Sequence, residues 1–160
     1  MVKYPMTPQS FEKLKEELKT LKSVARPKIS AEIGAARELG DLSENAEYHA
    51  AKERQGFIEG RIKDLEIKIS NAEVIDPSKL SGSRVVFGAT VALTDLENNE
   101  EVVYQIVGDD EADLKTRKIS ISSPIARALI GREEGDEAQV HSPKGIRRYE
   151  ISKVTFVATP

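Results

Sequence analysis

Four carboxylate side chains lie close together around Gly40, in the stretch ARELGDLSENAEYHAAKE of residues 36–53. They belong to Glu38, Asp41, Glu44 and Glu47. Carboxylate oxygens suit Mg²⁺, which accepts one or two of them and shares its remaining positions with water and phosphate. Two or three acids on an exposed turn make a poor metal cage by themselves, but they are able to complete a site whose other ligands belong to a partner.

The same acids have a structural explanation. The segment Asp41-Leu42-Ser43-Glu44 fits the capping-box pattern, with an acid at the N-cap and Glu at the third helical position. Acids at a helix start also suit the helix dipole, whereas Glu38 would lie at the unfavourable negative end of the preceding helix. These residues alone are compatible with two interpretations, a helix cap and a charged turn that takes part in chemistry.

A long helical pattern precedes the acids. Thr7 is a good N-cap, and Pro8 suits the first helical position because its missing N–H would be unpaired there anyway. Three successive steps of four in the apolar seam form a stutter, which locally unwinds a coiled coil. Pro27 lies in this stretch and predicts a kink or a short break. The seam residues are Phe11, Leu14, Leu18, Leu21, Ala25, Ile29, Ile33 and Ala36.

A second helical pattern runs from about Glu44 to Ala72. Each stretch has roughly 30 residues and would span about 45 Å at 1.5 Å per residue. A connection as short as LGDLS makes the two helices antiparallel neighbours, so the sequence predicts a hairpin with Gly40 to Ser43 at its point. The second seam consists of Tyr48, Ala51, Gln55, Ile58, Ile62, Leu65, Ile69 and Ala72.

The second half of the chain has a period near two. TVALTDL and EEVVYQIVG flank the turn ENNE, and HSPKG separates EAQVH from IRRYEISKVTF. SSPIARALIG predicts one short helix, with Ser123 as N-cap, Pro124 first and Gly131 at its end. The fold class is therefore α+β in two domains. We place the hairpin at 1–76 with an acidic tip at 38–47, a linker at 77–83 and a small antiparallel sheet domain with one helix at 84–160.

The amino-acid composition excludes several classes of function. The 160 residues contain no cysteine, which excludes disulfides and thiolate chemistry. Their formal charge of −3 argues against nucleic-acid binding over the whole surface. Neither a signal peptide nor a membrane span is evident, so we expect a cytoplasmic protein. The two histidines are expected at the surface, and GREEGDE is expected to be a solvated turn. The basic residues of the hairpin are either solvated flanks or a stripe for a phosphate backbone.

Two separated motifs resemble a known family. ARELGDLSENAEYHAAKERQ resembles the tip of the bacterial transcript cleavage factors of the GreA/GreB family, and SSPIARALIGREEGDEAQV resembles their C-terminal segment. The resemblance spans nearly the whole chain. It implies an N-terminal coiled coil, a C-terminal domain of FKBP-like fold and RNA polymerase as the partner, with the coiled coil reaching down the secondary channel of that enzyme.

The resemblance also assigns roles to residues. Asp41 and Glu44 match the two principal tip acids, which implies catalytic and metal-binding roles at a second Mg²⁺ shared with the polymerase. Arg37 and Lys52 match basic positions able to steady RNA phosphates. The implied polymerase contacts are Ile121, Ser122, Ser123 and Pro124.

The implied function is an elongation factor that stimulates cleavage of the 3′ end of backtracked nascent RNA. Such a factor is not an enzyme itself, has no cofactor of its own and uses Mg²⁺ at the polymerase active site. We expect a monomer that does not bind membranes. Some family members with an altered tip inhibit the polymerase, and the alternative is therefore a non-catalytic channel-binding inhibitor or adaptor. The presence of both acids favours the stimulating type.

Overall fold

The structure is a computed structural model that describes residues 2–157. The chain folds into two compact units. One unit consists mainly of Phe11–Asn71, and the other of Lys3–Ser10 together with the residues from Ala72 onward. The helices are α1 (Pro8–Thr20), α2 (Arg26–Arg37), α3 (Ala46–Ser70) and α4 (Pro124–Leu129). The strands are β1 (Tyr4–Met6), β2 (Ala72–Val74), β3 (Thr90–Asp95), β4 (Glu101–Val107), β5 (Lys118–Ser120), β6 (Glu137–Ser142) and β7 (Gly145–Thr155).

The first helix begins where its sequence predicts. The Thr7 Oγ1 accepts a hydrogen bond from the Ser10 N–H at 3.2 Å, which confirms Thr7 as the cap. At Leu21–Ala25 the hydrogen bonds change to the wider π pattern, and the Arg26 N–H bonds back to the Leu21 carbonyl. A π turn contains more residues than an α turn, so seam residues that are four positions apart stay on the same face of the helix. The disturbance expected near Pro27 is thus a π segment just before it, and Pro27 itself lies in the first turn of α2.

The first unit is the predicted antiparallel hairpin, with α2 packed against α3. The seam residues are buried or half-buried as predicted, and Leu65 is completely buried. Ion pairs join the two arms at the edges of the seam. The Arg26 guanidinium bonds both oxygens of Glu59 at 2.9 and 2.8 Å, and Arg61 bonds both oxygens of Glu17 at 2.7 and 3.0 Å. Exposed pairs of this kind stabilise a fold by about 1 kcal/mol or less each, so most of the hairpin's stability comes from the seam.

The second unit contains a five-stranded sheet in the order β5-β4-β3-β7-β6. The two predicted strand hairpins are confirmed, because β3 pairs antiparallel with β4 and β6 pairs antiparallel with β7. The sheet differs from the predicted antiparallel sheet only at one edge, where β5 pairs with β4 in parallel. A strand of only three residues leaves almost no periodic signal, and a parallel partner cannot be inferred from a tight turn.

The core of this unit lies between one face of the sheet and α4. It consists of small and branched aliphatic side chains, including the completely buried Leu93, Ile106, Leu129 and Ile151. The predicted ends of α4 are confirmed. The Ser123 Oγ accepts from the Ala126 N–H at 3.3 Å, and Gly131 has a φ of +88°, which favours glycine after a helix.

A second, two-stranded sheet pairs β1 with β2 in parallel. No sequence pattern predicts a strand at Tyr4–Met6. The helical pattern continues to Ala72, whereas α3 ends at Ser70. Asn71 ends the helix by donating from its side chain to the Ile67 carbonyl at 2.9 Å. The chain then turns extended because pairing with β1 satisfies its backbone groups, an interaction between distant segments that local periodicity does not reveal.

Candidate functional site

The turn between α2 and α3 is built from one glycine and one short 3₁₀ segment. Gly40 has a φ of +132°, a conformation that residues with a side chain rarely adopt. The chain then forms a 3₁₀ turn at Leu42–Glu44, and α3 follows at Ala46. Asp41 and Glu44 therefore lie at the beginning and the end of one turn, and both side chains are exposed.

The Asp41 carboxylate is held by its own turn. Its Oδ1 accepts hydrogen bonds from the Ser43 N–H at 3.0 Å and from the Ser43 hydroxyl at 2.9 Å. These bonds, first the one from the backbone and then the one from the side chain, hold the pKa of Asp41 below its usual value because they favour the ionised form. Both bonds use Oδ1, which leaves Oδ2 as an oxygen able to bind a cation.

Asp41 is not the cap of the long helix, so the capping-box interpretation is wrong. Asp41 caps only the 3₁₀ turn, through Ser43. The N-cap of α3 is Asn45, whose Oδ1 accepts from the Tyr48 N–H at 3.0 Å. The sequence is ambiguous here because Asp and Asn are equally good caps, and the choice depends on where the first free N–H groups of the helix point.

The two acids line one shallow depression of about 450 Å³ at the tip. Its wall is formed by Leu39, Asp41, Glu44, Asn45, Ala46 and Glu47. Within residues 2–157, no group of three or more His, Asp or Glu side chains is arranged to hold a metal ion. The donor set fits a shared Mg²⁺ that takes one or two carboxylates from this chain and its other oxygen ligands from elsewhere.

The remaining charged residues of the tip have separate surroundings. The Arg37 guanidinium lies over the Tyr48 ring, 5.9 Å from its centroid. The Lys52 ammonium donates to the Gln55 side-chain oxygen at 3.1 Å. Arg37 and Lys52 are both exposed, on α2 and α3 respectively, and a role in RNA binding stays a prediction for each.

Two apolar side chains at the tip are exposed, and the sequence does not predict a role for them. Leu39 and Leu42 are 65% and 40% exposed, although they flank the acids at the point of the hairpin. Leu39 also lines a groove of about 550 Å³ between α2 and α3. Neither residue belongs to the apolar seam, so the only signal in the sequence is an apolar residue on each side of an otherwise polar turn.

One aspartate that no sequence pattern singles out supports the segment with the predicted polymerase contacts. Asp109 Oδ1 accepts from the Ser122 hydroxyl at 2.7 Å and also from the Ser120 hydroxyl. The Ile121 N–H donates to the Val107 carbonyl at 2.8 Å. Ile121 is half-buried against the core, while Ser122 and Pro124 are exposed and Ser123 caps α4. The four residues thus lie at the entry to α4, and their contact with the polymerase stays a prediction.

The two histidines and the acidic segment GREEGDE lie at the surface. His49 and His141 are exposed, as expected. GREEGDE forms an exposed turn in which Asp136 accepts from the Glu133 N–H at 2.9 Å. None of the helices in the described part of the chain combines the length and apolar character needed to span a membrane.

Comparison with known proteins identifies both halves of the chain. Residues 4–74 match the family described as transcription elongation factor, N-terminal, and residues 80–156 match transcription elongation factor, GreA/GreB, C-terminal. Transcription elongation factor GreA of Hyphomonas neptunium is 60% identical over 98% of this chain and 99% of its own length. The GreA of Neisseria meningitidis serogroup B is 58% identical over 98% of this chain and its entire length.

Solved structures of similar proteins cover nearly the same extent. A prokaryotic GreA/GreB factor from Nitrosomonas europaea shares 27% identity, covers 96% of this chain and 100% of that chain, and has a TM-score of 0.43. The family assignment rests on the sequence matches over both halves.

Proposed function

Because this chain belongs to the GreA/GreB family of transcription elongation factors, we propose that it binds RNA polymerase and stimulates cleavage of backtracked RNA. The observation that carries this proposal is the pair of exposed carboxylates, Asp41 and Glu44, on one depression at the point of a long hairpin. In this proposal the factor is a monomer without catalytic activity of its own, and it works in the cytoplasm, where the polymerase is found.

Asp41 and Glu44 each contribute carboxylate oxygens to the polymerase active centre. A second Mg²⁺ held there would stabilise the attacking and leaving oxygens of RNA hydrolysis. Asp41 arrives ionised and already oriented, because Ser43 holds its Oδ1 and lowers its pKa. Glu44 has no side-chain hydrogen bond of this kind and supplies an adaptable second carboxylate.

The hairpin carries these acids into the secondary channel. With 25 residues, α3 is about 38 Å long at 1.5 Å per residue. The buried seam and the bidentate pairs Arg26–Glu59 and Arg61–Glu17 hold the two arms in a fixed register. A register that is fixed along the arms keeps the turn from shifting when it enters a narrow space, which is what placement of two ligand oxygens requires.

Basic residues near the tip contact the RNA phosphates. Arg37 and Lys52 are exposed and carry charges that complement the phosphate backbone. The planar Arg37 guanidinium keeps its donors while it lies on the Tyr48 ring, so it is held in place without an acidic partner at that site.

The globular unit docks on the polymerase through Ile121, Ser122, Ser123 and Pro124. Exposed Ser122 and Pro124 offer one polar and one apolar contact, and Asp109 fixes the backbone that presents them. Docking by this unit makes polymerase binding independent of the tip acids. Variants of the acids should therefore lose cleavage and keep binding.

The test is release of short 3′ RNA fragments from a stalled, backtracked elongation complex with Mg²⁺. The wild-type protein should release fragments, and Asp41→Ala should reduce the rate about 100-fold, as expected when one charge-stabilising group is removed. The matched control is Asp76→Ala, because the Asp76 Oδ1 accepts from the Ser78 N–H at 3.0 Å and the Ser78 hydroxyl at 2.6 Å in the same arrangement.

Polymerase binding of both variants is measured by competition with labelled wild-type protein and should stay within about twofold, since docking is assigned to the globular unit. Slower transcription without fragment release by the wild-type protein would contradict the proposal and favour a non-catalytic channel-binding inhibitor. Loss of binding in Asp41→Ala would show that the acid is structural.

A further inference from the structure

The Asn45 side chain joins the end of one arm of the hairpin to the start of the other. Its Oδ1 accepts from the Tyr48 N–H at the start of α3, at 3.0 Å. Its Nδ2 donates to the carbonyl of Ala36, near the last residue of α2, at 2.6 Å. One amide therefore accepts from a free N–H at the start of one helix and donates to a carbonyl of the other helix that also accepts from the Leu39 N–H at 3.1 Å.

Few side chains are able to make both bonds. Aspartate offers the same acceptor but has no N–H for the carbonyl, and serine caps a helix but is too short to replace the amide on the other side. An asparagine chosen only as a cap would need no donor, because the cap uses the oxygen. The bond from Nδ2 to Ala36 is therefore the feature that capping does not explain.

The bond closes the tip into a small loop. Between Ala36 and Asn45 the chain contains both proposed ligands, and Asp41 is fixed within it by Ser43. Asn45 also closes the 3₁₀ turn, because its N–H lies 3.4 Å from the Leu42 carbonyl. The Asn45 side chain is thus one of the groups that fix the positions of Asp41 and Glu44 relative to both helices, together with the backbone bonds of Leu39 to Ala36 and of Glu44 to Asp41.

We propose that Asn45 is a positioning residue for transcript cleavage, holding the loop so that Asp41 and Glu44 are presented together. This inference rests on the proposed function and adds a residue to which that function assigns no task. Preorganised ligand groups matter because a shift of about 1 Å in a reacting group reduces a rate by as much as 100-fold.

The test compares two variants that keep the cap and remove the donor, Asn45→Ser and Asn45→Asp. Serine is neutral and aspartate is charged, so an effect common to both does not come from charge. The matched control is Asn71→Ser at the other end of α3, which removes a bond from an asparagine Nδ2 to the Ile67 carbonyl. Each protein is assayed with backtracked complexes over a range of factor concentrations.

Both Asn45 variants should lower the maximal cleavage rate about tenfold, the effect of one lost hydrogen bond of about 1.4 kcal/mol. The factor concentration at half-maximal rate should stay within about twofold, since docking is unaffected. Helix content by circular dichroism should stay at the wild-type level, and Asn71→Ser should cleave normally. A general loss of stability would instead move the half-maximal concentration or affect Asn71→Ser equally.

Hydrogen exchange of the Ser43, Glu44 and Asn45 amides supplies a measurement that does not depend on the polymerase. Exchange should rise about fivefold in Asn45→Ser and stay unchanged in Asn71→Ser. A wild-type cleavage rate in both Asn45 variants, or unchanged exchange, would overturn the positioning role. No fragment release by the wild-type protein, together with raised exchange in Asn45→Ser, would overturn the proposed function and the cleavage role but leave the loop closure standing.

Discussion

Two turns of this protein share one local design and differ in everything around it. At the tip, Asp41 precedes a 3₁₀ turn and accepts from the N–H and hydroxyl of Ser43. Before the main sheet, Asp76 precedes the 3₁₀ turn Pro77–Lys79 and accepts from the same two groups of Ser78. In both turns the hydrogen bonds from serine hold the aspartate pKa below its usual value.

The surroundings separate the two turns. At the tip the third residue after the aspartate is Glu44, and a depression lies beside both acids. At the other turn the corresponding residue is Lys79, whose charge also lowers the pKa of Asp76, and Pro77 is buried. The aspartate-serine turn is therefore a structural device, and a candidate site arises only where a second acid and an open surface accompany it.

The largest difference in cleavage rate between the two turns should come from the residue three positions after the aspartate, which is Glu44 at the tip and Lys79 at the other turn. Glu44→Gln keeps the size of the side chain and removes its charge, and we expect cleavage of backtracked RNA to fall about 100-fold. Lys79→Gln makes the matching neutral change and should cleave at the wild-type rate. Equal rates for the two variants would show that the second acid does not distinguish the turns.

Glycine substitutions should reveal how tightly each turn is packed. Gly88 has a φ of +87°, and an added Cβ would lie 3.0 Å from the Pro77 Cγ, so Gly88→Ala should cost about 2–3 kcal/mol. Gly40 has a φ of +132° with no atom within 4 Å of an added Cβ, and Gly40→Ala should cost about 1 kcal/mol from the backbone alone. Denaturant unfolding measures both, and a larger loss for Gly40→Ala would contradict the contrast.

Much of the hairpin follows from sequence because its signal is periodic. The seam residues from Phe11 to Ala72 repeat at helical spacing and are buried or half-buried in the structure. By contrast, β1 and β5 have three residues each and pair in parallel with distant segments. Such short strands carry almost no pattern, and their existence depends on contacts that only the folded chain provides.

The tip is only partly predictable for a different reason. The acids stand out by type and spacing, but Asp41, Ser43 and Asn45 are all good caps, and the sequence does not say which N–H groups each one meets. Because a 3₁₀ turn lies before α3, the Asp41 side chain accepts from the Ser43 N–H, and the Asn45 side chain accepts from the Tyr48 N–H. The bond from Asn45 to the Ala36 carbonyl crosses between helices, so no local rule predicts it.

Removing the serine hydroxyls should have a smaller effect on cleavage. Ser43→Ala loses one hydrogen bond to Asp41 and keeps the one from the backbone, so cleavage should fall about fivefold. Ser78→Ala loses the matching bond to Asp76 and should leave cleavage unchanged. Single-turnover rates at saturating factor measure both, and a wild-type rate in Ser43→Ala would mean that the hydroxyl does not orient the carboxylate.

The smallest expected effect is common to the two turns. Because both aspartate pKa values are lowered by folding, each turn gains stability that is complete above the unfolded pKa of about 3.9 and is lost as the pH falls through the folded value. Carboxyl NMR titration should give midpoints below about 3.9 for both. A midpoint at or above that value for Asp41 would contradict the hydrogen-bonded turn.

The most direct test of the central claim is the cleavage rate of Asp41→Asn, with Asp76→Asn as its control. Asparagine retains an oxygen that accepts from Ser43 and removes the negative charge, so it separates the turn from the chemistry. We predict a cleavage rate about 100-fold below that of the wild type with polymerase binding intact, and a wild-type rate for Asp76→Asn. A wild-type rate for Asp41→Asn would show that Asp41 only orders the turn and carries no chemistry.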